Sequence, residues 1–217
     1  MALTGPRCAR CSAPVQTPAS GSACDNCEHW IDNGLERSLI LADFRGVAHD
    51  AIHALKFNGI KQMGPFLGRQ FAVHAEMQAG CADLDLLIPV PLHAARQRER
   101  GYNQAAEIAR GLAVVLDLPV VTDCLRRIRP TRQQARLEVA ARRENIMGAF
   151  HAAGPLPGAP HRIGLVDDVM TTGATMSACA SALGSVTSAQ IIGVAIASPF
   201  RQRADEAGLV DLIHSPT

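Results

Sequence analysis

The sequence predicts an α/β fold with a parallel, doubly wound sheet, and two observations carry this prediction. Apolar, strand-like runs alternate with helical patterns along most of the 217 residues, and that alternation is typical of parallel sheets. One apolar run also ends in two adjacent acids, Asp167 and Asp168, and a polar turn separates them from a helical pattern at residues 176–183. Because open sheets of this class bind ligands at the carboxyl ends of their strands, we expect the functional site there.

The predicted helices rest on apolar residues spaced three and four positions apart. They cover residues 47–57, 61–79, 105–116, 138–145 and 176–183. Gly59 is a typical helix stop, and Asn103 is a typical cap for the helix that follows it.

Strands are predicted where short apolar runs are bounded by turn residues. They cover residues 85–89, 118–121, 163–166 and 188–198, and residues 35–43 fit either a helix end or a short strand. Pro89 and Pro91 cannot continue a central ladder, so the first of these strands ends in a stiff turn. The basic stretch 126–136 contains Pro130 and is typical of an exposed, flexible loop.

The composition excludes several classes of protein. Hydrophobic residues make up 47% of the chain, which is ample for a core, and no apolar run approaches the roughly 18 residues of a membrane-spanning helix. Only 4% of the residues are aromatic, which argues against the base-stacking sheets of RNA-binding domains. Because the first residues contain no secretory apolar stretch, we expect a cytoplasmic protein without membrane insertion.

Positive charge is concentrated in the middle of the chain. Residues 93–145 contain 11 arginines and 6 acids, although the net charge of the whole chain is only +1. The densest part is Arg96, Arg98 and Arg100. Arginine suits phosphate geometry better than lysine, but a solvated face or an arginine-rich codon bias explains the charge equally well.

Four of the seven cysteines form two C-x2-C pairs near the N-terminus: Cys8, Cys11, Cys24 and Cys27. Two such pairs are typical of a structural, tetrahedral Zn²⁺ site. The loop between them carries almost no core of its own, so bound zinc would supply on the order of 10 kcal/mol of folding free energy. Two disulfides or four free thiols are the alternatives. We therefore predict a small zinc-ribbon-like module at residues 1–34 and a main domain at residues 35–217, in which the scattered Cys81, Cys124 and Cys179 are buried thiols.

The turn after the acid pair predicts a phosphate site. It reads Thr171, Thr172, Gly173, Ala174 and Thr175 and precedes a helix. Backbone N–H groups at a helix N-terminus bind anions, glycine lets the backbone approach closely, and threonine hydroxyls add donors. The acids can accept hydrogen bonds from sugar hydroxyls or bind an oxygen-seeking cation such as Mg²⁺. The alternative is an ordinary strand–turn–helix unit with acids at the strand end.

These residues resemble the phosphoribosyl pyrophosphate (PRPP) motif of type I phosphoribosyltransferases. Over nearly the whole chain, the combination of motifs resembles the ComF family, which includes the GntX-type proteins. Besides the cysteines, the motifs that carry this resemblance lie at residues 55–59, 88–92, 100–104, 134, 143–145 with Phe150, and 166–175, which include the acid–threonine motif. The resemblance implies a type I phosphoribosyltransferase fold, with a variable hood supplied by residues before the strand at Asp85.

The resemblance also implies residue roles. Asp167 and Asp168 would hold the ribose, and the threonine turn would hold the 5′-phosphate. The loop after the first sheet strand would hold the pyrophosphate with Mg²⁺; its residues are Pro89, Val90, Pro91 and Leu92. Arg96, Arg98 or Arg100 would neutralise the leaving group from a mobile loop, and Lys56 is a weaker candidate for a phosphate contact. A proline-terminated strand without a ligand is the alternative for the loop.

Two functions from different classes therefore remain. The first is transfer of ribose 5-phosphate from PRPP to a nitrogen acceptor that the sequence does not name. The second is a non-catalytic adaptor in DNA uptake that contacts single-stranded DNA or partner proteins. Self-association is compatible with either function, and the sequence does not specify an oligomeric state.

Overall fold

The computed structural model describes residues 5–15, 24, 27, 34–129, 148–154 and 156–200, and the helix predicted at 138–145 lies outside them. The strands are β1 (Arg37–Asp43), β2 (Leu86–Pro89), β3 (Leu125–Arg127), β4 (Phe150–Ala152), β5 (Arg162–Val169) and β6 (Gln190–Ser198). The helices are α1 (Gly46–Phe57), α2 (Met63–Ala72), α3 (Ala75–Gly80), α4 (Ala94–Arg100), α5 (Gln104–Leu116) and α6 (Ala174–Leu183).

Four of the strands form a parallel sheet in the order β1-β6-β5-β2. Leu39 of β1 pairs with Val194 of β6, and Pro89 of β2 pairs with Val166 of β5. All four strands run in the same direction, so their carboxyl ends lie along one edge of the sheet. This architecture confirms the predicted α/β class.

Helices cover both faces of the sheet, which a parallel sheet requires because its strands are apolar on both sides. One face, with Leu39, Val166 and Ile192, packs against α1, α2, α3 and α5. The opposite face, with Ile163 and Leu165, packs against α6, the antiparallel pair β3–β4 and the cysteine segment. The acid pair at the end of β5 therefore lies between two separate apolar cores.

Helices α2 and α5 pack closely because glycines face the opposite helix. A side-chain carbon added at Gly68 would collide with the backbone of Ile108, and one at Gly111 would collide with the backbone of Pro65. This close contact anchors the N-terminal end of α5, where Asn103 accepts a hydrogen bond from the N–H of Ala105 at 3.0 Å and caps the helix as predicted.

Several element predictions were wrong in detail. The single helix at 61–79 is two helices, because the chain turns at Val73 and His74, where His74 is extended. The strand at 118–121 is only a bridge between Val120 and Leu87. The segment around Arg96, expected to be a mobile loop, forms helix α4.

The basic stretch at 126–136 also differs from its prediction as a loop. Its first residues belong to β3, which pairs with β4, and residues 130–136 lie outside the described part of the chain. Strand β3 has only three residues, too few for alternation to be recognised in the sequence.

Candidate functional site at the sheet edge

The predicted phosphate turn surrounds an open pocket at the carboxyl end of β5. The pocket has an empty volume of about 370 Å³, including solvent at its mouth. It is lined by Asp167, Val169, Met170, Thr171, Thr172, Gly173, Ala174, Thr175 and Met176. Gly173 has φ +74° and precedes α6 directly, so the chain enters the helix through a left-handed residue that favours glycine.

The backbone N–H groups of residues 171–176 have no hydrogen-bond acceptor among the described residues, whereas the N–H of Ser177 donates to the Gly173 carbonyl at 2.8 Å. Unpaired N–H groups in the first turn of a helix attract anions, and the helix dipole adds to this attraction. The turn is therefore open to an incoming anion and is not closed by neighbouring side chains of the described chain.

Asp167 forms part of the pocket wall. Burial, followed by the negative charge of Asp168, raises the pKa of Asp167 to about 7, and Lys56 acts in the opposite direction. Its Oδ1 accepts a hydrogen bond from the N–H of Asp168 at 2.8 Å. A carboxyl group with this pKa changes charge near neutral pH, so it can act either as an acceptor or as a donor to a ligand hydroxyl.

Asp168 lies on the other side of the strand, because successive residues of a strand point to opposite faces. It is only 3% exposed. Its Oδ1 lies 2.9 Å from Lys56 Nζ and accepts a hydrogen bond from the N–H of Val169 at 2.7 Å. Its Oδ2 is buried without a hydrogen-bond partner among the described residues. The two acids thus approach the strand end from different faces.

The proline loop lies beside this strand end. The N–H of Val90 donates to the carbonyl of Val166 at 2.8 Å, which continues the pairing of β2 with β5 past Pro89. Asn103 Nδ2 donates to the Val90 carbonyl at 3.0 Å, a contact that sequence reasoning missed. Pro91 and Leu92 are partly exposed and lead directly into α4.

The three predicted arginines all lie on α4, where they differ in their contacts. Arg96 Nη1 pairs with Glu99 at 3.2 Å, and Arg100 donates to Gln104 and lies over the Phe57 ring at 5.8 Å. Arg98 is exposed and has no polar partner among the described residues. Of the three, Arg98 is the guanidinium most available to an external anion.

Arg127 on β3 lies near the Asp167 carboxyl, a neighbour that sequence reasoning missed. Burial lowers the pKa of Arg127, and its neighbours Cys179 and Asp167 act on that pKa in the opposite direction. Its guanidinium lies 5.4 Å from the Phe150 ring centroid, and its Nε is buried without a partner among the described residues. Arg127 therefore contributes positive charge near Asp167, and nothing in its local sequence distinguished it from the neighbouring arginines.

The four N-terminal cysteines form a separate cluster. One ligand atom from each of Cys8, Cys11, Cys24 and Cys27 lies within 4.8 Å of the others. The Cys8–Cys27 and Cys11–Cys24 sulfur distances are 3.6 and 3.4 Å. Four sulfurs around Zn²⁺ at about 2.3 Å would be about 3.8 Å apart, so the cluster fits a metal ion such as zinc. Burial raises the pKa of the Cys27 thiol to about 11, so this group is a neutral thiol at neutral pH unless a bound cation lowers its pKa.

The cysteine segment also covers the free edge of β1. The N–H of Ser38 donates to the Arg10 carbonyl at 2.8 Å, and Ser12 Oγ donates to the Ser38 carbonyl at 2.7 Å. The N–H of Ile40 donates to Ser12 Oγ at 3.3 Å, and Arg7 Nη1 donates to the Ile40 carbonyl at 2.6 Å. The edge of the sheet is therefore paired by this segment instead of being exposed.

The three remaining cysteines are buried, as predicted. They are Cys81, Cys124 and Cys179. Burial raises the pKa of Cys124 to about 11 and that of Cys81 to about 12, so both remain neutral thiols. Within the described ranges, no helix combines the length and the apolar character needed to cross a bilayer.

No family model matches the chain, but curated relatives do. Competence protein F of Haemophilus influenzae is 31% identical over 176 residues, which are 79% of this chain and 76% of that protein. DNA utilization protein YhgH of Salmonella typhimurium is 28% identical over 181 residues, 81% of this chain and 77% of that protein. Its counterpart in Escherichia coli is 30% identical over 151 residues, 68% of this chain and 66% of that protein.

Fold and site together define an α/β protein with an anion-accessible turn at the carboxyl end of β5 and a four-cysteine cluster beside the edge strand β1. The identity to Competence protein F, over three quarters of that protein, makes the family definite. The chain belongs to the ComF family.

Proposed function

We propose that this protein binds PRPP, or a closely related sugar phosphate, and transfers ribose 5-phosphate to a nitrogen acceptor with release of pyrophosphate. The observation that carries the proposal is the open pocket whose wall combines unpaired backbone N–H groups with the Asp167 carboxyl. Amide donors suit a phosphate, and carboxylate acceptors suit sugar hydroxyls. A sugar phosphate is the ligand that presents both groups within one short molecule.

Charge stabilisation and positioning would carry the reaction, because no protein nucleophile is required. The 5′-phosphate would bind residues 171–175, and the carboxylates of Asp167 and Asp168 would accept hydrogen bonds from the ribose. This orientation would direct the anomeric carbon towards the acceptor as positive charge develops on the sugar. The pyrophosphate would lie beside the loop of residues 89–92. Mg²⁺ bound with PRPP would neutralise part of its charge, and Arg98 on the adjoining α4 is available to neutralise more.

Calorimetry with PRPP and Mg²⁺ tests the proposal. Wild-type protein should bind, and the double variant Asp167→Asn/Asp168→Asn should lose binding, because an amide both removes acceptor charge and introduces donors. Asp50→Asn is the matched control, since the Asp50 side chain is 80% exposed and belongs to α1. Absence of binding by the wild-type protein would refute the proposal.

We also propose that the cysteine cluster binds Zn²⁺ as a structural ion. The short sulfur–sulfur distances and the buried thiols support this assignment, because four cysteines complete a tetrahedral shell and leave no open position for a reacting water. Metal analysis of the purified protein should find one zinc per chain. Replacement of Cys11 by serine should reduce that content strongly, whereas Cys81→Ser should leave it unchanged.

A competence-related role, with direct contact to single-stranded DNA, is the second candidate. The names of the relatives refer to competence and to DNA utilization. In this chain, α4 presents arginines next to Phe57, which is 57% exposed and could stack on a base.

Fluorescence anisotropy with a labelled oligonucleotide separates the two candidates. DNA contact predicts affinity that falls steeply between low and moderate salt, and weaker binding by Arg96→Ala/Arg98→Ala. Arg162→Ala is a control, because Arg162 lies at the opposite end of β5. No binding at low salt would exclude direct DNA contact by the isolated protein.

A further inference from the structure

Lys56 does not lie where a phosphate ligand would be expected. The lining of the phosphate pocket comes from residues 167 and 169–176, whereas the Lys56 ammonium lies 2.9 Å from Asp168 Oδ1, on the side of the sheet covered by α1. The Lys56 side chain is 20% exposed and the Asp168 side chain 4%. The two groups therefore form a largely buried ion pair beside the pocket.

This ion pair leaves one carboxylate oxygen unused. Oδ1 of Asp168 receives Lys56 and the N–H of Val169, and Oδ2 is buried without a partner among the described residues. Burying a carboxylate is costly unless its charge is balanced and its oxygens are hydrogen-bonded. The positive charge of Lys56 balances the carboxylate through Oδ1, so Oδ2 is left to accept a hydrogen bond from a ligand hydroxyl.

Lys56 is itself fixed by contacts on both sides along α1. The Tyr102 hydroxyl donates to the carbonyl of Leu55, and the Arg100 guanidinium lies over the Phe57 ring. Asn103, the next residue after Tyr102, holds the Val90 carbonyl of the proline loop. The turn between α4 and α5 thus connects the end of α1 with the loop after β2, and it holds Lys56 at the acid pair.

We propose that Lys56 is a positioning residue: it is the counter-ion that balances and orients Asp168, so that Asp168 accepts a ribose hydroxyl, and it does not itself contact a phosphate. This inference rests on the proposed sugar-phosphate function. It predicts that loss of Lys56 weakens binding of the sugar-bearing ligand while leaving the affinity for a bare phosphate unchanged, because the phosphate turn lies on the other face of the strand.

The chain offers a matched control, because Lys56 and Lys61 are its only lysines. Lys61 is 54% exposed and pairs with Glu107 at 3.4 Å, on α5. Calorimetry with PRPP and Mg²⁺ should show a loss of about 10- to 100-fold for Lys56→Met, the range of a hydrogen bond to a charged group, and no loss for Lys61→Met. Lys56→Arg should recover part of the affinity, and both methionine variants should bind inorganic phosphate like the wild type.

A spectroscopic measurement on the folded wild-type protein covers the case in which Lys56→Met fails to fold. Reductive ¹³C-methylation should give one signal for each of the two lysines, in addition to the signal of the N-terminal amine. Addition of PRPP with Mg²⁺ should shift the Lys56 signal, and Asp168→Asn should move it towards the Lys61 signal.

The outcomes separate this inference from the function on which it rests. A wild-type protein that binds no PRPP overturns both. If the wild type binds but Lys56→Met binds PRPP equally well, or loses PRPP and inorganic phosphate by the same factor, only the positioning role is overturned. An unperturbed Lys56 signal in Asp168→Asn overturns the ion pair.

Discussion

The cysteine cluster and the turn at residues 171–176 are both short motifs, but they differ in their polar groups. Those of the cysteine segment find partners within the described part of the chain, whereas the N–H groups of the turn do not. In the cysteine segment, the four sulfurs converge on one another and Ser12 satisfies the backbone of β1. In the turn at residues 171–176, the N–H groups have no acceptor within the described chain and surround a pocket. Satisfied polar groups hold a fold together, whereas unsatisfied ones at a pocket indicate a ligand.

This comparison predicts that changes in the cysteine segment lower stability and leave ligand affinity intact, whereas changes in the turn lower ligand affinity. The largest expected effect follows from removing Cys11, a proposed metal ligand that is fully buried. Cys11→Ser should lower the free energy of unfolding by on the order of 5 kcal/mol or more, because metal binding and folding are coupled. Chemical denaturation measures this value.

Cys81→Ser serves as the control, because it replaces a buried thiol outside the cluster. A chelator should destabilise the wild type and Cys81→Ser equally and should have no further effect on Cys11→Ser. Equal stability of the wild type with and without chelator would contradict the structural role of the cluster.

The second effect concerns the edge of the sheet. Ser12→Ala removes the hydroxyl that joins the Ser38 carbonyl to the Ile40 N–H, and unpaired buried backbone groups should cost about 1–3 kcal/mol of unfolding free energy. Ser185→Ala is the control, since Ser185 Oγ makes an exposed, local hydrogen bond to Ala182. Hydrogen exchange should be faster at the Ile40 N–H in Ser12→Ala alone, because this N–H loses its acceptor. We expect PRPP affinity to be unaltered in both variants. A marked loss of affinity in Ser12→Ala would contradict the prediction that the cysteine segment affects stability alone.

The third effect tests the open turn. Gly173→Ala places a side chain at φ +74° and should lower PRPP affinity by about tenfold, or about 1.4 kcal/mol, because the backbone would leave the conformation proposed to bind the phosphate. Gly158 has φ +73° and open space around it, and it does not line the pocket, so Gly158→Ala carries the same backbone strain of about 1–2 kcal/mol outside the proposed site. Both variants should lose similar stability, and calorimetry should find reduced affinity only in Gly173→Ala. Equal affinities would count against close approach of a phosphate to this turn.

The smallest effect is a pH dependence. The pKa of Asp167 is raised from 3.8 to about 7, so its contribution to stability is present below pH 3.8 and is lost as the pH rises through 7. The pH dependence of ligand affinity has the opposite sign to that of stability, because the ionised carboxylate is the better hydrogen-bond acceptor. PRPP affinity should fall by up to roughly tenfold from pH 8 to pH 6 for a single group of this pKa.

Calorimetry at several pH values measures this dependence. Asp167→Asn corrects for ionisation of the ligand itself, because the amide does not titrate in this range. If the wild type and Asp167→Asn have parallel pH profiles, ionisation of Asp167 does not control binding.

Motifs that depend only on neighbouring residues could be predicted from the sequence. The C-x2-C spacing brings two sulfurs together within a single turn. The first N–H groups of a helix lack an acceptor within the helix, and a glycine before the helix lets a ligand approach them closely. The helix predicted at 61–79 was wrong at its middle because His74 adopts an extended conformation despite an uninterrupted helical pattern. Strand β3 was missed because three residues carry too little pattern.

The sequence by itself determined the α/β class, the cysteine set and the position of the turn at residues 171–176, because each depends on local spacing or on strand–helix alternation. Only the tertiary structure decided that Lys56 pairs with Asp168, that Arg127 lies near Asp167 and that Ser12 joins the edge of β1. These partners are far apart in the chain, and the packing of α1, β3 and the cysteine segment around the sheet brings them together. Contacts between such distant residues cannot be predicted from local sequence patterns.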